Sequence, residues 1–371
     1  MKKILIIKLA IVPALLMTLA TCNTDQAGNR DVLQEPVNTP TVSDDADKEA
    51  SWPAVSVAKI DRYENIAISG WLDEDTVVIS KENENLGKMS LEELSDSYPK
   101  SLYLYHLKTK QYELLKEKKD TFLGDAVLSS DKKHLLYSEF SLGDPVFHVM
   151  DLDTLDSFGI TGEPIGGALS ARWDENETVI GPAYSGGAFT ASTSGEIAAV
   201  PGLEGETLFS VQKMKDKIYY IPSSDGSLQV LDLNTKEKAS LNPDQVSGIF
   251  PSPDGKQMLV LQYKESQQTL ILCDADGGNQ KNIAEGTELG GISWSPDQQM
   301  IAYSLKPEVN GTTVYSLYLY DLLTGKSTQI AGDLKNLTTV WSPSGSELAY
   351  TEWSEKQTNS SIVHLTYVPQ K

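Results

Sequence analysis

The sequence has little cysteine, arginine or histidine. Its 371 residues include two cysteines, Cys22 and Cys273, so a disulfide framework and a cysteine-based zinc site are both disfavoured. There are three arginines against 28 lysines, and 52 acidic residues against 31 basic ones give a net charge of −21. Nucleic-acid binding and attachment to anionic lipid through a basic patch are therefore disfavoured, because both need clustered basic side chains. The four histidines show no metal-ligand spacing.

Motifs that carry chemistry are also missing. The sequence contains no Gly-x-Ser-x-Gly nucleophile elbow, and the segment 324–327 lacks the glycine that a phosphate loop needs five residues earlier. Asp274 and Asp276 begin a segment that looks like a calcium loop, but glycine and asparagine occupy its later ligand positions. We therefore expect no metal or cofactor, with calcium at these two aspartates as the alternative to an ordinary turn.

The only long apolar run lies near the start of the chain. Lysines at positions 2, 3 and 8 flank an apolar stretch over residues 9–20, which is typical of a secretory signal and too short for a comfortable membrane span. The ending Leu19-Ala20-Thr21-Cys22 resembles the bacterial lipobox, although Thr21 departs from the usual Gly, Ala or Ser. The resemblance implies a signal peptide over residues 1–21 and a lipid on Cys22; plain secretion and an uncleaved anchor are the alternatives. The preference for lysine over arginine is typical of AT-rich bacterial genomes and favours a Gram-positive host.

Residues 22–53 are predicted to form an acidic tether. They contain several prolines and an acidic cluster at 44–47, and they show neither helical nor strand periodicity. Such a composition buries too little apolar surface to offset the entropy of ordering. We therefore place the folded domain at residues 54–371.

A repeat runs through this domain. Three segments share a turn phrase with Ser-Pro followed by Asp or Ser, and an apolar strand follows each of them, at 251–255, 294–298 and 341–345. Proline at the second turn position, with Asp or Gly after it, is typical of hairpins. Weaker copies lie near 71, 128, 173 and 213, so the interval between copies is 38 to 57 residues. A period of about 40–50 residues with four short strands per unit is the signature of a β-propeller.

The second half of each unit repeats more strictly. Five third strands start at Leu102, Phe147, Leu228, Leu270 and Leu317, and the fourth residue after each start is His or Asp. We interpret this aspartate as a turn former whose carboxylate accepts backbone N–H groups. Seven units fit best, and six or eight also fit. The last unit lacks an outer strand, so we predict that residues 54–60 pair into it and close the ring.

The phrases "SPDG" and "ISWSPD" and the segment 272–279 resemble the Pro-Asp repeats of TolB-type bacterial propellers. The resemblance is specific in the three C-terminal units and weaker toward the N-terminus. It implies an all-β, extracytoplasmic propeller that binds proteins or small ligands, and it supplies no catalytic residue.

The longest irregular loop, 81–100, is the candidate partner-binding element. Its Ser90, Leu91, Glu93 and Leu94 form a capping-box pattern, which predicts a short helix with Ser90 as cap and both leucines on one face. Trp353 lies in an equivalent loop. Packing of the leucine face on the propeller rim is the alternative to docking.

The sequence therefore predicts a membrane-anchored lipoprotein that acts as a non-catalytic scaffold or as a module that binds a protein or small ligand. A further hypothesis is a sensor or accessory subunit of a membrane complex, which differs from the scaffold hypothesis only in its partner. The alternative is a propeller enzyme, a glycan or lactone hydrolase or lyase, that uses carboxylates in the central funnel.

Overall fold

The computed structural model describes four stretches of the chain, residues 55–175, 178–306, 314–354 and 357–367. The predicted signal peptide, Cys22 and the predicted tether lie outside these residues. Within the described stretches, no helix is long and apolar enough to cross a membrane.

In the described stretches the regular structure is almost entirely β-strand. In chain order the strands are β1 (Val55–Tyr63), β2 (Ala67–Trp71), β3 (Thr76–Glu82), β4 (Lys100–His106), β5 (Gln111–Lys116), β6 (Phe122–Leu128), β7 (His134–Phe140), β8 (Val146–Asp151), β9 (Ser157–Gly159), β10 (Thr161–Gly162), β11 (Gly166–Gly167), β12 (Arg172–Glu175), β13 (Thr178–Pro182), β14 (Ala188–Ser192), β15 (Ile197–Ala199), β16 (Leu208–Met214), β17 (Lys217–Pro222), β18 (Leu228–Asp232), β19 (Lys238–Leu241), β20 (Val246–Pro251), β21 (Gln257–Lys264), β22 (Gln267–Asp274), β23 (Lys281–Gly286), β24 (Glu288–Trp294), β25 (Met300–Lys306), β26 (Tyr315–Asp321), β27 (Lys326–Leu334), β28 (Leu337–Trp341), β29 (Glu347–Trp353) and β30 (Thr358–Tyr367).

These strands form four-stranded antiparallel units in chain order. The first unit is β2–β5, the second β6–β9, the third β12–β15, the fourth β16–β19, the fifth β20–β23 and the sixth β24–β27; the seventh is β28–β30 together with β1. The short hairpin β10–β11 lies between the second and third units. A single parallel pair, Lys100 with Phe122, joins the edges of the first two units.

Apolar side chains pack between neighbouring units all the way round. Leu102 of the first unit packs with Met150 of the second, and similar clusters fill each following interface. The ring closes where Ile68 of the first unit packs against Ile362 of the seventh. The second strand of each unit is the most apolar, because it lies between two neighbours and is buried on both faces. The predicted β-propeller is therefore confirmed.

The first strand of the chain completes the last unit. β1 pairs with β30 in antiparallel register from Val55 opposite Tyr367 to Tyr63 opposite Ser360, with one irregularity after Val57. Val55 is buried in the core between the sixth and seventh units. The predicted pairing of the N-terminal segment is confirmed, and the strand extends three residues beyond the predicted end.

The turns between first and second strands depend on a buried serine. Ser252, Ser295 and Ser342 each accept a hydrogen bond from the backbone N–H five residues later, at 3.0, 2.9 and 3.1 Å. The hydroxyls of Ser252 and Ser295 donate to the turn aspartates Asp254 and Asp297. The sequence pattern attributes these turns to the proline and the aspartate, whereas the structure shows that the serine links each turn to the next strand.

The turns between third and fourth strands behave as predicted in three units. Asp151, Asp232 and Asp321 each accept two backbone N–H bonds at 2.8–3.1 Å through one carboxylate oxygen. Asp274 differs, because its carboxylate accepts from the side-chain amides of Asn279 at 2.6 Å and Gln257 at 3.4 Å.

Tryptophans link successive first strands. Trp71 donates its indole N–H to the Val340 carbonyl at 3.2 Å, Trp173 donates to Val127 at 2.8 Å and Trp294 donates to Phe250 at 3.0 Å. Each acceptor lies on the first strand of the preceding unit. Trp341 holds the equivalent position in the seventh unit, but its indole N–H is buried without a hydrogen-bond partner.

Candidate functional site

The irregular loops gather at one end of the propeller. In an antiparallel unit, the end of the second strand lies beside the start of the first, so second-to-third loops and the connections between units share an end. The Ser-Pro turns and the aspartate turns lie at the other end. We call the end that carries the second-to-third loops and the connections between units the loop end.

A groove opens at the loop end over the seventh, first and second units. It consists of a cavity of about 570 Å³ and a neighbouring cavity of about 240 Å³, which have lining residues in common. These shared residues are Ser80, Lys100, Phe122, Phe140 and Thr358. They come from strand ends of three units, so the groove depends on ring closure.

Aromatic side chains form the wall of this groove. The rings of Phe122 and Phe140 lie 5.4 Å apart, at an angle of 48°. Phe140 is 40% exposed, and Trp353, which lines the same cavity, is 41% exposed. The Trp353 backbone N–H donates to the Asn336 carbonyl at 3.2 Å, which fixes the start of its loop. Exposed aromatics around a concave surface are typical of a binding site.

Buried hydroxyls link the seventh and first units next to the groove, and one of them, on Thr351, belongs to a residue that lines the larger cavity. Thr351 donates to the Ile68 carbonyl at 2.8 Å, and Ser360 donates to the Ile66 carbonyl at 2.8 Å and accepts from the Ile68 N–H at 2.9 Å. Both hydroxyl residues are about 1% exposed. These bonds run between the seventh and first units, so they rigidify the groove at the seam of the ring.

Two charged groups line the larger cavity. Asp125, at a positive φ of 47°, accepts a hydrogen bond from Ser138 at 2.7 Å. Lys100 has no carboxylate within ion-pair distance among the described residues. The larger cavity can therefore pair its apolar wall with one cationic contact.

The predicted partner loop contributes its ends to the groove. Lys81, Ser97 and Lys100 line the two cavities, whereas Ser90, Leu91, Glu93 and Leu94 do not. Trp353 does line the larger cavity. The structure thus brings one of the five predicted site residues to the groove.

The predicted helix in this loop is wrong in detail. The loop contains two single 3-10 turns, Glu84–Leu86 and Glu92–Leu94, and the second has no side-chain cap. The Ser90 N–H donates to Asp120 at 2.6 Å, and buried Met89 anchors the loop instead of the leucines. Leu91 is 37% exposed, because a one-turn helix cannot press the face of positions 91 and 94 onto the rim.

A buried ionic network supports the wall beneath Phe140. The Glu139 carboxylate lies 2.5 Å from the Lys118 ammonium and 3.8 Å from the His148 ring. Burial lowers the pKa of His148 despite the opposing attraction of Glu139, and burial raises the pKa of Tyr137, whose ring stacks on His148 at 5.3 Å, to about 12. His148 and Tyr137 line none of the cavities described here, so the shifted pKa values of these two residues reflect packing.

The calcium alternative finds no support in the described residues. They include no group of three or more His, Cys, Asp or Glu side chains placed to hold a metal ion. Asp276 accepts from the Gly278 N–H at 2.8 Å, as in an ordinary turn. Cys273 is fully buried, as predicted, and burial raises the pKa of its thiol to about 12.

Sequence reasoning missed Phe122 as a groove residue, whereas Lys100 ends the predicted 81–100 loop and Phe140 lies in an equivalent irregular loop. Lys100 is the first residue of β4, Phe122 is the first residue of β6 and Phe140 is the last residue of β7. No sequence motif marks any of these three positions. Their proximity follows from the packing of the first two units.

No family model matches the sequence, and no curated protein matches it. Solved structures do match. Oligogalacturonate lyase from Vibrio parahaemolyticus is 11% identical, with a TM-score of 0.63 over 85% of this chain and 98% of that chain. An oligogalacturonate lyase in complex with manganese is 12% identical, with a TM-score of 0.60 over 83% and 91%.

A propeller of a different kind also matches. The Cps50 (Swd1) β-propeller domain from Myceliophteria thermophila is 10% identical, with a TM-score of 0.56 over 84% of this chain and all of that chain. TolB from Acinetobacter baumannii matches at 15% identity over 71% of this chain, but its TM-score of 0.44 is too low to assign the TolB type. These likenesses show the propeller fold alone, since one fold hosts many functions.

Proposed function

We propose that the protein is a lipid-anchored extracytoplasmic propeller that binds a protein or small-molecule ligand at the groove without catalysing a reaction. The anchor rests on the signal-like start of the sequence and on Cys22. The binding role rests on the groove at the loop end.

The observation that supports binding is the pair of exposed aromatics, Phe140 and Trp353, facing one cavity. Large side chains that are about 40% exposed cost solvation free energy unless a partner covers them. Aromatic side chains at the centre of an interface commonly contribute most of its binding energy. Lys100 adds a cationic contact that would favour a partner with a carboxylate nearby.

The alternative, a propeller enzyme with paired carboxylates, fits the described lining less well. Glycoside cleavage by two carboxylates needs them about 5–9.5 Å apart across the scissile bond. Among the described lining residues of the groove, Asp125 is the one carboxylate of the larger cavity and Glu82 the one carboxylate of the smaller cavity, so no two carboxylates line the same cavity. Asp125 also already accepts a hydrogen bond from Ser138.

The binding role is tested by crosslinking the membrane-bound protein and measuring recovery of its most abundant partner. Trp353→Ala and Phe140→Ala should each lower recovery about tenfold or more, as loss of a binding hot spot does. Leu323→Ala is the matched control, because Leu323 is 75% exposed at the opposite end. Replacement of residues 83–99 by a short Gly-Ser turn should also lower recovery. If only the Leu323 variant loses the partner, binding uses the other face.

The anchor is tested separately. Cys22→Ala should release the protein from membranes or leave an unprocessed precursor, because the acylated cysteine would be its attachment point. Unchanged processing and unchanged membrane partition in this variant would rule out the lipoprotein proposal.

A further inference from the structure

A second cavity opens at the loop end, over the third, fourth and fifth units. Its volume is about 500 Å³, within the range of small-molecule sites. It shares no lining residue with the groove. Its wall comes from the first strands β12, β16 and β20, together with Ser223 from the end of β17.

Arg172 is the only charged side chain among the described residues that line this cavity. Burial lowers the pKa of its guanidinium, and burial is the sole cause of that shift. In the described part of the chain, no carboxylate pairs with Arg172 and no carbonyl accepts from it. Arg172 is partly buried, and an arginine stays protonated in such surroundings, so this positive charge lacks a compensating anion among the described residues.

Lys213 provides the contrast. It is also a largely buried cation on the first strands, but its ammonium lies 3.0 Å from the Asp174 carboxylate, which is 2% exposed. The fold thus neutralises Lys213 internally. A buried charge without such a partner is expensive, and it is retained where a ligand supplies the opposite charge.

The remaining lining defines the ligand further. Ser170, Ser210 and Ser223 offer hydroxyls, and Phe209, which is 58% exposed, offers a ring face in the same cavity. A single guanidinium matches one carboxylate in bidentate geometry. The protein's net charge of −21 opposes a polyanion. We propose that Arg172 binds the carboxylate of a small organic monoanion, whose apolar or ring portion rests on Phe209.

The test is thermal unfolding of the full chain with sodium benzoate or sodium glucuronate, at constant ionic strength. Benzamide and glucose are the uncharged controls, and inorganic phosphate tests for a different anion. A carboxylate at about 100 times its Kd should raise the Tm by about 4 °C in a domain of this size, while the neutral controls leave it unchanged.

Two variants separate ligand binding from a structural role. Arg172→Met should abolish the carboxylate shift while the Tm of the free protein holds or rises, because an uncompensated buried charge is removed. Lys213→Met should do the reverse: a lower Tm, because Asp174 loses the Lys213 ammonium, with the carboxylate shift retained. Arg172→Lys keeps the charge and should bind about tenfold more weakly.

The proposal is overturned by any of three results. One is the absence of a carboxylate shift in the wild-type protein. Another is a shift that survives Arg172→Met. The third is stabilisation by phosphate but not by benzoate or glucuronate, which would assign the site to another anion. None of these results bears on the groove, whose test uses partner recovery.

Discussion

Trp71 and Trp341 allow a comparison of the same substitution at equivalent positions of the repeat. Both lie at the ends of first strands, and both are buried, with 1% and 7% of their surface exposed. The Trp71 indole donates to the Val340 carbonyl of the neighbouring unit, whereas the Trp341 indole N–H has no partner. Replacement by phenylalanine removes the N–H in both cases.

We expect Trp71→Phe to destabilise the protein more than Trp341→Phe. Both variants lose similar apolar contact, so that loss cancels in the comparison. Trp71→Phe also loses a hydrogen bond worth about 0.5–1.5 kcal/mol, while Trp341→Phe removes an unsatisfied buried donor that costs about 1–3 kcal/mol. The difference in the free energy of unfolding should therefore be about 2 kcal/mol or more.

The assay is urea unfolding of the two variants and the wild-type protein, followed by circular dichroism. The slope of the transition should match among the three proteins, so that midpoints can be compared directly. Equal losses, or a larger loss for Trp341→Phe, would refute the reasoning, because the inter-unit hydrogen bond would then contribute nothing measurable.

Two further predictions concern ring closure and acid stability. Deletion of Val55–Tyr63 should lower the Tm and promote aggregation, because it leaves the β30 edge unpaired. As a control, deletion of residues 23–53 should leave the Tm unchanged. Equal Tm values for the two deletion variants would mean that β1 does not stabilise the ring. The pKa of Asp254 is lowered to about 2 by hydrogen bonds from the Lys256 side chain, the Lys256 backbone N–H and the Ser252 hydroxyl. The ionised carboxylate therefore stabilises the folded protein above a pH of about 4, and this stabilisation is lost as the pH falls toward 2. Asp254→Asn should flatten the fall in the urea midpoint between pH 5 and 2, and an unchanged slope would contradict this.

Local sequence features were sufficient to predict the architecture. The Ser-Pro turns, the aspartates that end the third strands of four units, and the apolar second strands recur at a period typical of repeated four-stranded units. Even the closing strand could be placed, because a repeat missing its outer strand at one end must find it at the other. These features depend on neighbours in sequence, so the sequence contains them.

The short helix predicted in the 81–100 loop shows where such reasoning fails. A capping pattern at Ser90 favours a helix, but the loop is held by Met89 and by Asp120 from a distant connection. Tertiary contacts therefore overrode the local preference.

The sequence by itself determined the strands, the turns, the order of the units and the strand that closes the ring. Only the tertiary structure decided which side chains meet at the loop end. Phe122 and Phe140 come from the second unit and Trp353 from the seventh, and Arg172 lies in a cavity built by three other units. Their proximity and the missing partner of Arg172 depend on how the units pack, which no linear pattern encodes.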